Sequence, residues 1–456
     1  MSDGSVTLLL RSSKHEEDYM KRNVFSPALA AALIAGCSSG ANAPVPSAGS
    51  NAAPSSSRDG SASYAVVNLG TLGGASSAAS SINNHQWVSG LSSLPSSAYI
   101  HAALWKHQSS AQDLGTLGGP NSAIEWPLKN DSGLLAGISE TPQMQPRGET
   151  WSCAKAFFPQ PPTGHVCRGF AWRTNAMHRL PTLGGDNGIA AGANDRGEIV
   201  GWSETRQPDK SCVAPQVLKF EATLYDGWGK RKARELPPLR NDKDGAATEI
   251  NDAGQVVGIS GICDQAVGRF TARHAVMWEH GKPHELGSLG GVAWNTPMAI
   301  NRHGTVVGFS DLAGDSDGSP NFHAFLWTKR GGMIDLGTLP GDVYSQALGI
   351  NDAGQVVGAS YGPSFSTSRA FIYENGTMTD LNALIPPSSQ LYLLFANDIN
   401  DRGEIAGGAC AGASCAQAPA FLAIPGSRGA ARVAPPVPHL PAGARALIRA
   451  RALMPW

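Results

Sequence analysis

Apart from Cys37, the chain carries six cysteines: Cys153, Cys167, Cys212, Cys263, Cys410 and Cys415. Thiols in such number either hold a metal as thiolates or close into disulfides. Zinc sites take ligands in short, regular pairs of the C-x-x-C kind, and no such pair occurs among these irregular intervals. An even count in an exported chain therefore reads as disulfides. The parsimonious set is Cys153 with Cys167, Cys410 with Cys415, and Cys212 with Cys263, among the many pairings that six cysteines allow. Closing a loop of about 14 residues in this way contributes roughly 3 kcal/mol in the chain-entropy account.

The other reactive types do not converge. His101, His274 and His323 take one and the same place in a repeat, so the fold spreads them apart, and they read as hydrogen-bonding groups at a strand start. His280 and His284 stand four apart, which suits zinc on a helix, but Gly281 and Pro283 between them make a hairpin turn instead. The run from Asp311 through Asp315 and Asp317 to Gly318 alternates carboxylates as a calcium loop does. Ala313 and Ala324 stand where such a loop needs acids, so an EF-hand is excluded, and Asp315 and Asp317 are left as candidates for a surface cation contact. The glycine-rich bends lack the Lys-Ser/Thr of a phosphate loop, and neither a nucleophile elbow nor a paired-carboxylate motif stands out. No catalytic residue, cofactor or metal is expected.

These residues are held by a repeat. Leu-Gly-Thr-Leu-Gly-Gly is complete at 69–74 and 114–119 and varied at 180–185, 286–291 and 336–341, with degenerate copies from Leu236 and Leu381. Ile-Asn-Asp-Ala-Gly-Gln-Val-Val-Gly is complete at 250–258 and 350–358, and its Asn recurs at 83, 130, 194, 251, 301, 351 and 400. His-Ala-Phe-Leu-Trp is complete at 323–327, with relatives from His101, Arg168, Glu221, His274, Arg369 and Pro419. Repeated Asn residues lie 47 to 64 apart, a period that suits propeller blades. Each unit reads as four short strands, with Asn, Asp and Gly at the hairpin turns; Gln86 is the copy that lacks the turn glycine.

The termini are offset by one strand: residues 64–69 have no preceding partner in the first unit, and Pro419 to Ile424 have no following one in the last. Pairing those two strands would close a ring and remove the exposed edges. The expectation is an all-β, seven-bladed β-propeller of four-stranded blades over residues 64–424, with an open β-array as the alternative.

Ahead of it, Met20-Lys21-Arg22 and an apolar run from Val24 to Ala35 form a signal peptide, residues 20–36, with an h-region too short to span a bilayer. Ile34-Ala35-Gly36-Cys37 resembles the bacterial lipobox, which implies that Cys37 is lipidated and becomes the first mature residue. Ser38 after it resembles the residue type of lipoproteins released to the outer membrane. Residues 1–19 fit no signal, and Met20 is the expected start. Residues 37–62, rich in Ser, Ala, Gly and Pro, read as a flexible tether, and residues 427–456 as a disordered tail. The combination of His-Ala-Phe-Leu-Trp, Asp-Leu-Gly-Thr-Leu-Gly-Gly and Ile-Asn-x-x-Gly-x-Val-Val-Gly resembles the HAF repeat of bacterial extracellular proteins. That resemblance implies an extracellular address and no particular reaction.

With 456 residues, net charge -1 and 16% charged residues, the chain lacks the basic surface of a nucleic-acid binder. The variable links gather on one face of the ring, the loop face, and the tight Asn-Asp turns on the other. The loop face is the expected recognition surface. Trp105, Trp172, Tyr225, Trp278, Trp327 and Tyr373 recur in register and read as packing between blades, whereas Trp87, Trp126, Trp151, Trp202, Trp228 and Trp294 fall outside it; Trp151, Trp202 and Trp294 are the leading recognition candidates. The expected function is a monomeric, lipid-anchored binding or scaffold module for a protein or polysaccharide, at the outer membrane and facing periplasm or cell surface. The competing expectation is a propeller enzyme acting on glycans, with carboxylates converging on the central channel.

Overall fold

A computed structural model describes residues 61–429, except segments 96–97, 150–157, 159–160, 227–232, 265–268, 315–318 and 413–414, together with residues 435, 440, 445 and 448. Cys37, Trp151, Cys153, Trp228, Asp315, Asp317 and segments 1–19 and 20–36 lie outside the described residues.

Alternation of apolar and small residues, cut by Asn-x-x-Gly turns, gives short antiparallel strands. Thr296–Ile300, Val306–Asp311, Phe322–Thr328 and Gly332–Asp335 pair in that order to make one blade, inner strand to outer. Seven such four-stranded sheets form the seven-bladed propeller. The offset termini close it: Ser61–Gly70 pairs antiparallel with Ala420–Gly429 and serves as the outer strand of the last blade.

The repeat signatures have structural duties. Gly354 ends the Asn351 turn with φ +81°, a conformation that costs a side chain about 1–2 kcal/mol. At the equivalent place Gln86 adopts φ 58° without being glycine, and its side chain reaches across the closure seam to Glu404 at 2.8 Å. Gly358 lies opposite a bulge in the inner strand, where a Cβ would collide with the Gln346 carbonyl oxygen. Further along the same strand, Ser360 accepts a hydrogen bond from the Leu339 amide of the glycine-rich bend at 3.0 Å, and Ser92, Ser139, Ser260 and Ser310 hold their bends alike. The histidines at the strand starts bond to aspartates, His101 to Asp113 at 2.9 Å and His323 to Asp335 at 2.9 Å, and His274 to Asp242 at 2.8 Å.

The His274 pair carries a pH signature. The bond from Asp242 raises His274, while His274 and Ser260 hold Asp242 low against the upward push of burial. A raised histidine stabilises the fold below its unfolded value near 6.5 and loses that contribution as pH climbs through the folded value. Because the ring is partly exposed, His274→Asn is expected to cost only about 0.5–1 kcal/mol at pH 5.5 and less than half of that at pH 9, measured by urea unfolding. An equal loss at both pH values would contradict the assignment.

Trp105, Trp172, Tyr225 and Trp278 are buried between blades, as their register implied. The other tryptophans depart from expectation. Trp202 is fully buried and Trp294 is 7% exposed, so neither forms a recognition surface; Trp126 is buried as well. All three belong to an aromatic-rich cluster at the loop-face end of the blades, where Trp126 meets Trp202 edge-on at 5.3 Å and Trp294 packs against Phe322 at 6.2 Å. Rings from strands, such as Trp202, Phe309 and Phe322, and from links, such as Trp126 and Trp294, share this cluster. Leu440 and Ile448, within the segment expected to be an unstructured tail, are buried in the same cluster.

Two of the expected disulfides are present. Cys212–Cys263 joins two neighbouring blades and Cys410–Cys415 closes a short link. Cys167 is also disulfide-bonded, and Cys153, its expected partner, lies outside the described residues.

Candidate functional site

The repeated Asn does more than shape its turn. Asn194, Asn251, Asn301, Asn351 and Asn400 each donate Nδ2 to the backbone carbonyl of the corresponding Asn in the next blade, at 3.0–3.1 Å. The next residue makes a second ring. Asp131, Asp195, Asp252, Asp352 and Asp401 accept backbone N–H groups of neighbouring blades, as Asp401 does from Asp352 at 2.9 Å. Arg302 interrupts the series with a side chain that has no acceptor, and its guanidinium pairs with Asp352 at 3.3 Å.

These rings line the mouth of the central channel on the tight-turn face, a cavity of about 260 Å³. Lys129 lines it too, and its Nζ pairs with Asp398 and donates to the Ile399 carbonyl at 3.2 Å. Asp398, fully buried, also accepts from the Ile82 amide at 3.0 Å, so one carboxylate ties the last blade to the first and, through Lys129, to the second. Burial raises Asp398, with Lys129 opposing, and drives Glu249, another inner-strand acid, well above the usual carboxylate range. Carboxylates therefore do converge near the axis. They are closed from solvent, however, and the exposed ones at the mouth are engaged with backbone amides. Among the described residues no histidine, cysteine or serine lines the cavity. This cavity thus lies on the tight-turn face, opposite to the face expected for recognition.

The loop face has a different chemistry. Among the described residues seven large apolar side chains are exposed, and six of them belong to this face: Tyr99, Val213, Val217, Val292 and Val343 in its links, and Met144 at the end of the strand Leu135–Met144 that leads into one. Close by, Glu149, Asp186 and Glu204 bring carboxylate oxygens within 4.8 Å of one another. They come from three segments: Glu149 from the long link after Leu135–Met144, Asp186 from a glycine-rich bend, and Glu204 from the strand Ile199–Pro208. Burial, reinforced by Glu149, pushes Glu204 up to about 7 against donors from Asn187 and Gln216, and burial raises Glu149 against the amides of Leu218 and Val217. Sequence reasoning missed this trio because no fixed spacing links its members.

No family profile matches the sequence, and no curated protein matches it. Solved structures do. The β-propeller domain of the Trilobed protease from Pyrococcus furiosus is 10% identical with a TM-score of 0.39, over 66% of this chain and 82% of that one. Porphyromonas gingivalis dipeptidyl peptidase 4 is 12% identical with a TM-score of 0.35, over 79% of this chain and 53% of that one. Both likenesses are distant, and the seven-bladed architecture of this chain rests on its own strand pairing.

Proposed function

We propose that the chain is an exported, lipid-anchored binding module that engages a protein partner through the loop face of its propeller. The observation that carries this reading is the concentration of exposed apolar side chains there, six of the seven among the described residues. Apolar groups gathered on one surface of a soluble scaffold mark interaction sites. Aliphatic side chains favour a protein over a polysaccharide, since sugars stack on flat rings and Tyr99 is the one aromatic in the group. Cys212–Cys263 stiffens this face and suits an oxidising compartment. The likeness of the repeat to HAF repeats of extracellular proteins, and of residues 34–37 to a lipobox, supports export and anchoring through Cys37.

The address is tested by metabolic labelling with a fatty acid: the label is expected on the wild-type chain and absent from Cys37→Ala, and equal labelling of both would overturn it. For the partner, Val213→Asp combined with Val343→Asp is expected to cut the amount of one defined co-purifying protein at least about tenfold, the effect of burying unpaired charge in an apolar contact. Ile334→Asp, an exposed apolar position outside the links, leaves it unchanged. A complex indifferent to the double substitution, or a melting temperature raised by glycan fragments alone, would contradict the reading.

A further inference from the structure

Three carboxylates of the loop face, Glu149, Asp186 and Glu204, come together beside buried polar atoms that lack partners. Glu149 is 1% exposed, and its Oε1 accepts the backbone amides of Val217 and Leu218, both at 2.9 Å. Its Oε2 has no hydrogen-bond partner. Gln216, 4% exposed, donates Nε2 to Glu204 Oε1 at 3.2 Å and to the Leu218 carbonyl at 2.7 Å, and its own Oε1 is also without a partner. A buried polar atom left unpaired costs about 1–3 kcal/mol, more for a charged group. One of these oxygens belongs to a cluster of three carboxylates whose oxygens approach within 4.8 Å, and the other belongs to an amide bonded to that cluster through its nitrogen.

We infer that Glu149, Asp186 and Glu204, with the Gln216 amide oxygen, form a calcium site that ties the long link of the second blade to the third blade. The donor set selects the ion. Every candidate ligand is a hard oxygen and none is His or Cys, which suits calcium or magnesium rather than zinc or copper. Ligands drawn from four separate segments form an irregular cage, which the larger and geometrically tolerant calcium accepts and octahedral magnesium resists. Glu204 is already oriented, with Oε2 taking the Asp186 and Asn187 amides at 3.0 and 2.8 Å and Oε1 taking Asn187 Nδ2 at 3.0 Å. Asp186 now pairs with Arg147, whose half-exposed side chain is free to swing into solvent when the ion enters, while Arg168 behind the cluster offsets part of the negative charge. Four protein oxygens leave places for water in a shell of six to eight. Bound there, the ion would lock the link that follows Met144 against the segment that carries the exposed Val217.

The test is calorimetric titration of the full chain, stripped of metal with a chelator, with calcium chloride. One saturable site is expected, with Kd on the order of 10⁻⁴–10⁻³ M as in extracellular calcium modules, together with a rise in melting temperature. Glu149→Gln and Asp186→Asn should each weaken it at least about tenfold; Asp186 is the more exposed of the two, so its variant tests the site even where loss of Glu149 perturbs folding. Asp315→Asn should leave binding unchanged. No saturable binding up to about 10 mM calcium, binding that both cluster variants retain, or binding lost only in Asp315→Asn would overturn the assignment.

Discussion

Asp398→Ala is expected to destabilise the propeller by about 3 kcal/mol, because it removes the carboxylate paired with the Lys129 ammonium beside the axis. The same carboxylate accepts the Ile82 amide, so its loss also opens the seam where the last blade meets the first. The neighbouring seam contacts, Asn397 to the Ala79 carbonyl at 2.6 Å and Asn400 to the Asn83 carbonyl at 3.0 Å, have no charge to replace it. Removing both partners together, Lys129→Met with Asp398→Leu, should recover most of the loss, since an apolar pair of similar volume needs no desolvation of ions. Equilibrium unfolding in urea measures both. A single-substitution loss below about 1 kcal/mol, or a double variant worse than the single, would show that the pair does not hold the ring closed.

Gly358→Ala should cost about 3 kcal/mol or more, through overpacking rather than backbone strain. An added Cβ would strike the Gln346 carbonyl oxygen and come within 2.8 Å of Phe371 Cζ, and both belong to the packed interior of the blade. Gly354→Ala, four residues earlier, separates the two effects. There the Cβ meets open space, and the cost is the left-handed backbone alone, about 1–2 kcal/mol. The closing glycine of every unit faces the equivalent inner-strand carbonyl, as Gly258 does with Ala246 and Gly308 with Thr296. Equal losses for Gly354→Ala and Gly358→Ala would contradict the bulge as the reason for that glycine.

The repeat made the blades legible because each signature residue has a local duty: turn glycines, bend-holding serines, a strand start in need of a hydrogen bond. The offset of residues 64–69 and Pro419–Ile424 foretold the closure for the same reason, since an unpaired edge must find a partner. The Asn ring was half visible. Asp would shape the turn equally well, so an Asn in all seven units signals a need for its N–H donor, which the next blade's carbonyl accepts. Trp202 and Trp294 misled because both are buried in one cluster, which rings from strands and irregular links build together and which the register of the repeated aromatics does not mark. Glu149, Asp186 and Glu204 were hidden for a related reason: each lies in a different segment, and irregular links bring them together.

The central claim is that the loop face meets a protein. Its most direct measurement is site-specific photo-crosslinking in intact envelopes, with the reactive group placed at Val213, at Val343, and at Ala353 in a tight turn of the opposite face. A discrete protein adduct from both loop-face positions and none from Ala353 is the expected result. Adducts from Ala353 alone would move recognition to the Asn-Asp mouth of the channel and contradict the account.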